Sequence, residues 1–201
     1  MRDATQALIV IDIQNDFCPG GTLAVSDGDA IIPGVNALLA DFPVRVFTQD
    51  WHPAGHSSFA SSHDGLDPFQ EAEMPYGPQV LWPDHCVQGS RGAAFHDDLQ
   101  TDSADLMIRK GFRPHIDSYS AFFENDRTTP TGLEGYLRNR GVAALTLVGL
   151  ATDFCVAYSA IDGARLGFDV IVRTDLCRAI DLGGSLAAAR ADMGAAGVVL
   201  V

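Results

Sequence analysis

The feature that most constrains this 201-residue chain is a series of short, β-branched apolar runs that barely alternate with polar residues. They cover residues 7–11, 44–48, 105–108, 143–148, 169–172 and 197–200. Four of them stop abruptly at a polar residue or a glycine: Asp12, Gln49-Asp50, Arg109-Lys110 and Gly149. A strand that is apolar on every residue must be covered on both faces. Between the runs lie helical patterns at 28–39, 131–140, 153–166 and 183–193. Strand and helix alternating in this way predict an α/β fold, a mostly parallel, doubly wound sheet with helices on both faces. In such folds ligands bind outside the carboxyl ends of the strands. Asp12, Asp50, Lys110 and Cys155 each follow a different strand, so the topology alone gathers four reactive side chains on one rim.

The rhythm breaks between residues 51 and 99. This interval holds five of the six histidines, both tryptophans and many Pro, Gly and Ser residues. A long irregular stretch of this kind inside a compact domain is expected to carry function, here as a small lobe inserted after the second strand. The length suits one domain, residues 1–201, with the lobe included.

Composition removes several classes of function. The net charge is −13 and the basic residues are scattered, which excludes the clustered phosphate contacts of a nucleic-acid binder and disfavours anionic membranes. No apolar run approaches the roughly 20 residues of a membrane span. No signal peptide is evident, and four widely spaced cysteines do not form a disulfide scaffold, so a cytoplasmic setting is expected. Homo-oligomer formation is left open. Of 13 basic residues only Lys110 is a lysine. Arg in place of Lys throughout is a compositional habit, but the one site that escapes it falls at a strand end.

Cys155 follows the glycine at the end of the fourth run in Gly149-Leu150-Ala151-Thr152-Asp153-Phe154-Cys155. Thr152 or Asp153 is a natural N-cap, which places Cys155 in the first helical turn, where the helix dipole lowers a thiol pKa and free N–H groups can hold an oxyanion. A cysteine nucleophile needs a proton acceptor and a cation, and Asp12 and Lys110 supply that pair. Asp50, His52 and His85 offer an oxygen-and-nitrogen ligand set that zinc, iron or manganese would accept. Phe17, Trp82 and Tyr119 lie close in sequence to reactive residues, and their spacing suits either core packing or the walls of a pocket for a flat heteroaromatic substrate. Cys18, Cys86 and Cys177 read as small buried apolar residues.

These segments resemble the nicotinamidases, also called pyrazinamidases, of the isochorismatase-like cysteine hydrolases. The matching stretches are residues 11–21, Gln49-Asp50-Trp51-His52-Pro53, Leu81-Trp82-Pro83-Asp84-His85-Cys86, Arg109-Lys110-Gly111, residues 117–122 and residues 149–155. The resemblance implies Cys155 as nucleophile, Asp12 as general base and Lys110 as their cationic partner. It implies one divalent metal on Asp50, His52 and His85, with His56 left open as a fourth ligand. Phe17, Leu23, Trp82 and Tyr119 would line the pocket, and the N–H groups of Ala151 and Cys155 would face the oxyanion beside a cis Leu150–Ala151 peptide. The small-molecule substrate implied is nicotinamide, converted to nicotinate and ammonia in NAD salvage, with pyrazinamide as a second substrate. Phe154 receives no role. A relative acting on another small amide or ureide, or a silent metal-binding α/β domain, are the competing readings.

Overall fold

The computed structural model describes residues 3–201. The sheet begins with β1 (Gln6–Ile11), whose residues Ala7 to Ile11 are fully buried, as a central strand requires. β2 (Val44–Asp50) follows after the helix α1 (Ile32–Leu39). Next comes a hairpin of β3 (Glu71–Met74) and β4 (Gly77–Val80), and then β5 (Leu106–Lys110). The helix α2 (Leu133–Asn139) leads to β6 (Ala144–Leu150), and α3 (Ala157–Arg165) to β7 (Asp169–Arg178). The chain closes with α4 (Ser185–Ala195) and the short β8 (Val199–Leu200).

Six strands form one sheet in the order β5-β2-β1-β6-β7-β8, and every pairing in it is parallel. The chain builds outward from β1 to one edge, then returns to β6 and builds outward to the other. Connections of one hand therefore cover opposite faces in the two halves, which is the doubly wound arrangement expected. The strand order reverses between β1 and β6, and a crevice opens at that point beyond the strand ends. Asp12 leaves β1 there, and Cys155 lies just beyond β6.

Two elements differ from the expectation. β7 runs well past residue 172 because its pairing with β6 resumes after an irregularity between Leu147 and Gly149, reaching Arg178 opposite Leu150. The interval after β2 is not without structure, since the β3–β4 hairpin sits within it. Isolated bridges also tie it back, pairing His52 with Val87, Phe59 with Trp82 and Gln14 with Phe95.

β1 and β6 meet at the crevice through Ile11 opposite Gly149. Gly149 has φ +122°, and a Cβ there would lie 2.1 Å from the Ile11 carbonyl oxygen and 2.8 Å from its nitrogen. Both atoms are backbone of the central strand and neither can rotate aside. Gly149→Ala should therefore lower the stability toward urea by about 3 kcal/mol or more, the sum of overpacking and left-handed strain. A wild-type midpoint in that variant would contradict this packing.

Candidate active site

Asp50 and Lys110 are the last residues of β2 and β5 and stand opposite each other in the parallel register. Asp12 is the first residue beyond β1, at φ +45°. All three are buried, and Lys110 and Asp12 are completely so. The Lys110 ammonium lies 2.8 Å from Asp12 Oδ2, donates to Asp50 Oδ1 and to the Ser118 carbonyl at 2.9 Å, and reaches Cys155 Sγ at 3.4 Å. One cation thus touches two carboxylates, a carbonyl and a thiol inside the fold. Asp12 Oδ1 accepts a hydrogen bond from Thr48 Oγ1 at 2.6 Å, while its Oδ2 faces the ammonium at 2.8 Å. That oxygen keeps a lone pair for a proton.

The cluster decides the protonation of its members. Burial penalises the ammonium, but Asp12 and Asp50 outweigh it and hold the Lys110 pKa well above its ordinary value. Burial raises Asp12 above its usual 3.8 against the pull of Lys110, which makes it a stronger base than an exposed aspartate. Asp50 feels the same burial, yet Lys110, His52 and His85 hold it below the usual carboxylate range. The Cys155 thiol is pushed well above its ordinary value by burial, with Lys110 opposing and both carboxylates adding to the rise. The sequence-based expectation of a thiol lowered by a helix terminus is therefore corrected. Desolvation and the two neighbouring carboxylates raise the thiol more than Lys110 lowers it, which favours the protonated form of Cys155.

The expected N-cap is also corrected. Residues Thr152–Val156 form a wide π-type turn, Ala151 occupies the cap position, and no side chain caps it. Asp153 is occupied elsewhere: its carboxylate accepts from the backbone N–H groups of Ile180 and Asp181 at 3.1 and 2.7 Å and from Ser185 Oγ at 2.5 Å. It anchors the loop beyond β7 against the turn that carries Cys155. The Leu150–Ala151 peptide is cis.

Asp50 has a second oxygen, and it faces the other way. Its Oδ2 lies 3.7 Å from His52 Nε2 and 4.0 Å from His85 Nε2. These three buried donors lie within 4.8 Å of one another. Each imidazole is oriented by its far nitrogen, with His52 Nδ1 at 2.8 Å from the Gly111 carbonyl and His85 Nδ1 at 2.8 Å from the Pro83 carbonyl. An Nδ1–H donated to a carbonyl leaves Nε2 as a lone pair pointing at the gap. His52 Nε2 is buried and makes no hydrogen bond among the described residues, which fits a ligand atom better than a structural histidine. Gly111 is part of the same device. It has φ +64°, and a Cβ there would lie 2.4 Å from His52 Cε1. The residues therefore fit a divalent cation.

His56 does not join them. Its Nδ1 is 2.8 Å from Ser58 Oγ and its Nε2 is 2.8 Å from the Arg113 carbonyl, so both nitrogens are committed.

Phe17, Leu23, Trp82, Tyr119, Ala151 and Cys155 line one cleft, together with Asp50 and His85. Sequence reasoning missed other members. Phe154 packs edge-on to Trp82 at 4.9 Å, and Ile180 and Asp117 complete the wall. Gln14 clamps the end of β2, accepting from the Asp50 N–H and donating to the Asp50 carbonyl, both at 2.8 Å. For Gln14 and Phe154 a signal existed, since each sits within two residues of Asp12 or Cys155.

The isochorismatase domain family model matches residues 6–200. The chain belongs to this family. It is 56% identical to the nicotinamidase of Acinetobacter baylyi over 192 residues, 96% of this chain and 90% of that protein. The solved structure of Acinetobacter baumanii nicotinamidase pyrazinamidase superposes with a TM-score of 0.99 at 53% identity, over 100% of this chain and 97% of that one. The pyrazinamidase of Pyrococcus horikoshii in complex with zinc superposes with a TM-score of 0.78 at 35% identity, covering 98% of each chain. No helix among the described residues of this isochorismatase-family chain is long and apolar enough to cross a membrane.

Convergence of four partners on one ammonium makes its shape matter. A planar guanidinium spreads its donors over a wider fork and cannot aim them at one point. Lys110→Met and Lys110→Arg should each lower stability toward urea by about 3 kcal/mol or more, because both leave buried carboxylates poorly compensated. An arginine variant as stable as wild type would contradict the fit.

Proposed function

We propose that this protein is a nicotinamidase, hydrolysing nicotinamide to nicotinate and ammonia through a thioester on Cys155, and that it also accepts pyrazinamide. One observation carries the mechanism: a single buried ammonium joins Asp12, Asp50 and the Cys155 sulfur. The substrate follows from the apolar, aromatic cleft above that sulfur and from similarity to the Acinetobacter enzymes.

In this reading the pyridine ring enters between Phe17, Leu23, Trp82 and Tyr119, with its carboxamide over Cys155. A divalent metal held by Asp50, His52 and His85 would supply a positive anchor for the ring nitrogen. Asp12 Oδ2 takes the thiol proton as the sulfur attacks the amide carbon. Lys110 stabilises the sulfur as it becomes anionic and keeps the two carboxylates compatible with burial. The N–H groups of Ala151 and Cys155 hold the tetrahedral oxyanion, where a single such donor is worth roughly 3 kcal/mol of barrier. Asp12 returns the proton to the leaving nitrogen, ammonia departs, and water attacks the thioester with Asp12 again as base.

Ammonia release from nicotinamide by the purified protein tests the activity. Cys155→Ala should abolish it while leaving the urea midpoint and metal content unchanged; ammonia release at the wild-type rate would refute the cysteine route. A far higher kcat/KM for another small amide or ureide would refute the substrate. Exhaustive chelation and Asp50→Ala should each remove metal and activity together.

The pH profile has a defined shape. Asp12 must be ionised to act, so kcat/KM falls as pH drops through an Asp12 pKa above 3.8. Lys110 titrates well above 10.5, so it imposes no alkaline loss below that pH. A rate that stays level below pH 3.8 would exclude Asp12 as the base.

A further inference from the structure

The metal-binding reading assigns three side chains, and a fourth, a carboxylate, faces the same gap. Asp117 sits in the loop after β5, only 2% exposed, and lines the cleft. Its Oδ1 lies 4.0 Å from His52 Nε2, at the edge of the Asp50, His52 and His85 trio and not a member of it. We infer that Asp117 is an outer carboxylate of the metal centre, holding the cation through bound water and completing its charge balance.

Two observations support this role. The first is orientation. Asp117 Oδ1 accepts from the Ser118 N–H at 2.7 Å and Oδ2 from Gln79 Nε2 at 3.0 Å, so the carboxylate is fixed from behind while one edge faces His52. A carboxylate at 4.0 Å from His52 Nε2 is too far to bond to the imidazole directly, and it borders the gap in which a water on the cation would stand. The second is charge. Lys110 supplies one positive charge to Asp12 and Asp50 together, leaving one negative charge in excess. Asp117 brings the buried excess to two, which one divalent cation cancels. Partners of this kind beyond the direct ligands typically change metal affinity 10–100-fold.

The same tether reaches the aromatic wall. Gln79 Nε2 also donates to the Tyr119 hydroxyl at 2.7 Å, and that hydroxyl accepts from Trp82 Nε1 at 3.1 Å. Gln79 therefore fixes the metal-side carboxylate and the substrate-side rings in one frame.

This inference rests on the metal reading above, and the test separates the two. Zn²⁺ affinity is measured by competition with a chromogenic chelator for wild type, Asp50→Ala and Asp117→Asn, alongside the melting temperature of each metal-free protein. Asp117→Asn should bind Zn²⁺ about 10–100-fold more weakly while its metal-free melting temperature stays at the wild-type value. Unchanged Zn²⁺ affinity in Asp117→Asn, with binding lost in Asp50→Ala, would overturn the role of Asp117 alone. Unchanged affinity in both variants would overturn the metal site itself. A lower metal-free melting temperature with unchanged affinity would make Asp117 a structural loop residue and would also overturn it. If Asp117→Asn does not fold, Gln79→Leu removes one of the two tethers and leaves the carboxylate. It should weaken Zn²⁺ severalfold, and wild-type affinity there would overturn the inference.

Discussion

The Lys110 ammonium is the interaction on which the rest of the site depends. Asp12, Asp50 and Cys155 come from three separate segments, and none of the two carboxylates is tolerable in a dry interior without a cation. The ammonium touches all three and the Ser118 carbonyl besides. Its four partners leave it no freedom, and its charge sets theirs. Asp50 is held ionised while Asp12 keeps a raised pKa, a split that suits the ligand and base roles proposed for them.

Asp50 then carries the coupling outward. One of its oxygens belongs to Lys110 and the other to the gap bounded by His52 and His85. The Lys110 cluster and the candidate metal site thus share a residue, and Gln14 fixes that residue's backbone from both sides. The parallel sheet makes this possible because β2 and β5 end together, with Asp50 opposite Lys110 in register. The reversal of strand order between β1 and β6 places Asp12 and Cys155 on either side of the same crevice. The chain's only lysine stands where one compact ammonium meets four partners.

Much of this was legible before any coordinates. Unbroken apolar runs identify buried parallel strands, and strand ends identify the rim, so Asp12, Asp50, Lys110 and Cys155 could be named from topology. That Asp50, His52 and His85 would come together was legible as Asp-x-His plus a distant His. What escaped was set by loops and desolvation. The raised thiol of Cys155 depends on how completely the sulfur is buried, and the release of Asp153 from capping depends on where residues 180–185 return. Asp117 and Gln79 lie in loop and hairpin segments without periodicity, and only the folded chain brings them together. His56 shows the reverse case, since its spacing invites a ligand role that its hydrogen bonds to Ser58 and Arg113 remove.

The covalent step is the central claim, and hydroxylamine tests it most directly. With nicotinamide as substrate and hydroxylamine present, an acyl group on Cys155 partitions between water and the added nucleophile. Nicotinohydroxamate should form in proportion to hydroxylamine, at the expense of nicotinate, while ammonia release persists. Nicotinate as the only product, at hydroxylamine concentrations that cleave thioesters, would show that water attacks the amide directly and that Cys155 is not the nucleophile.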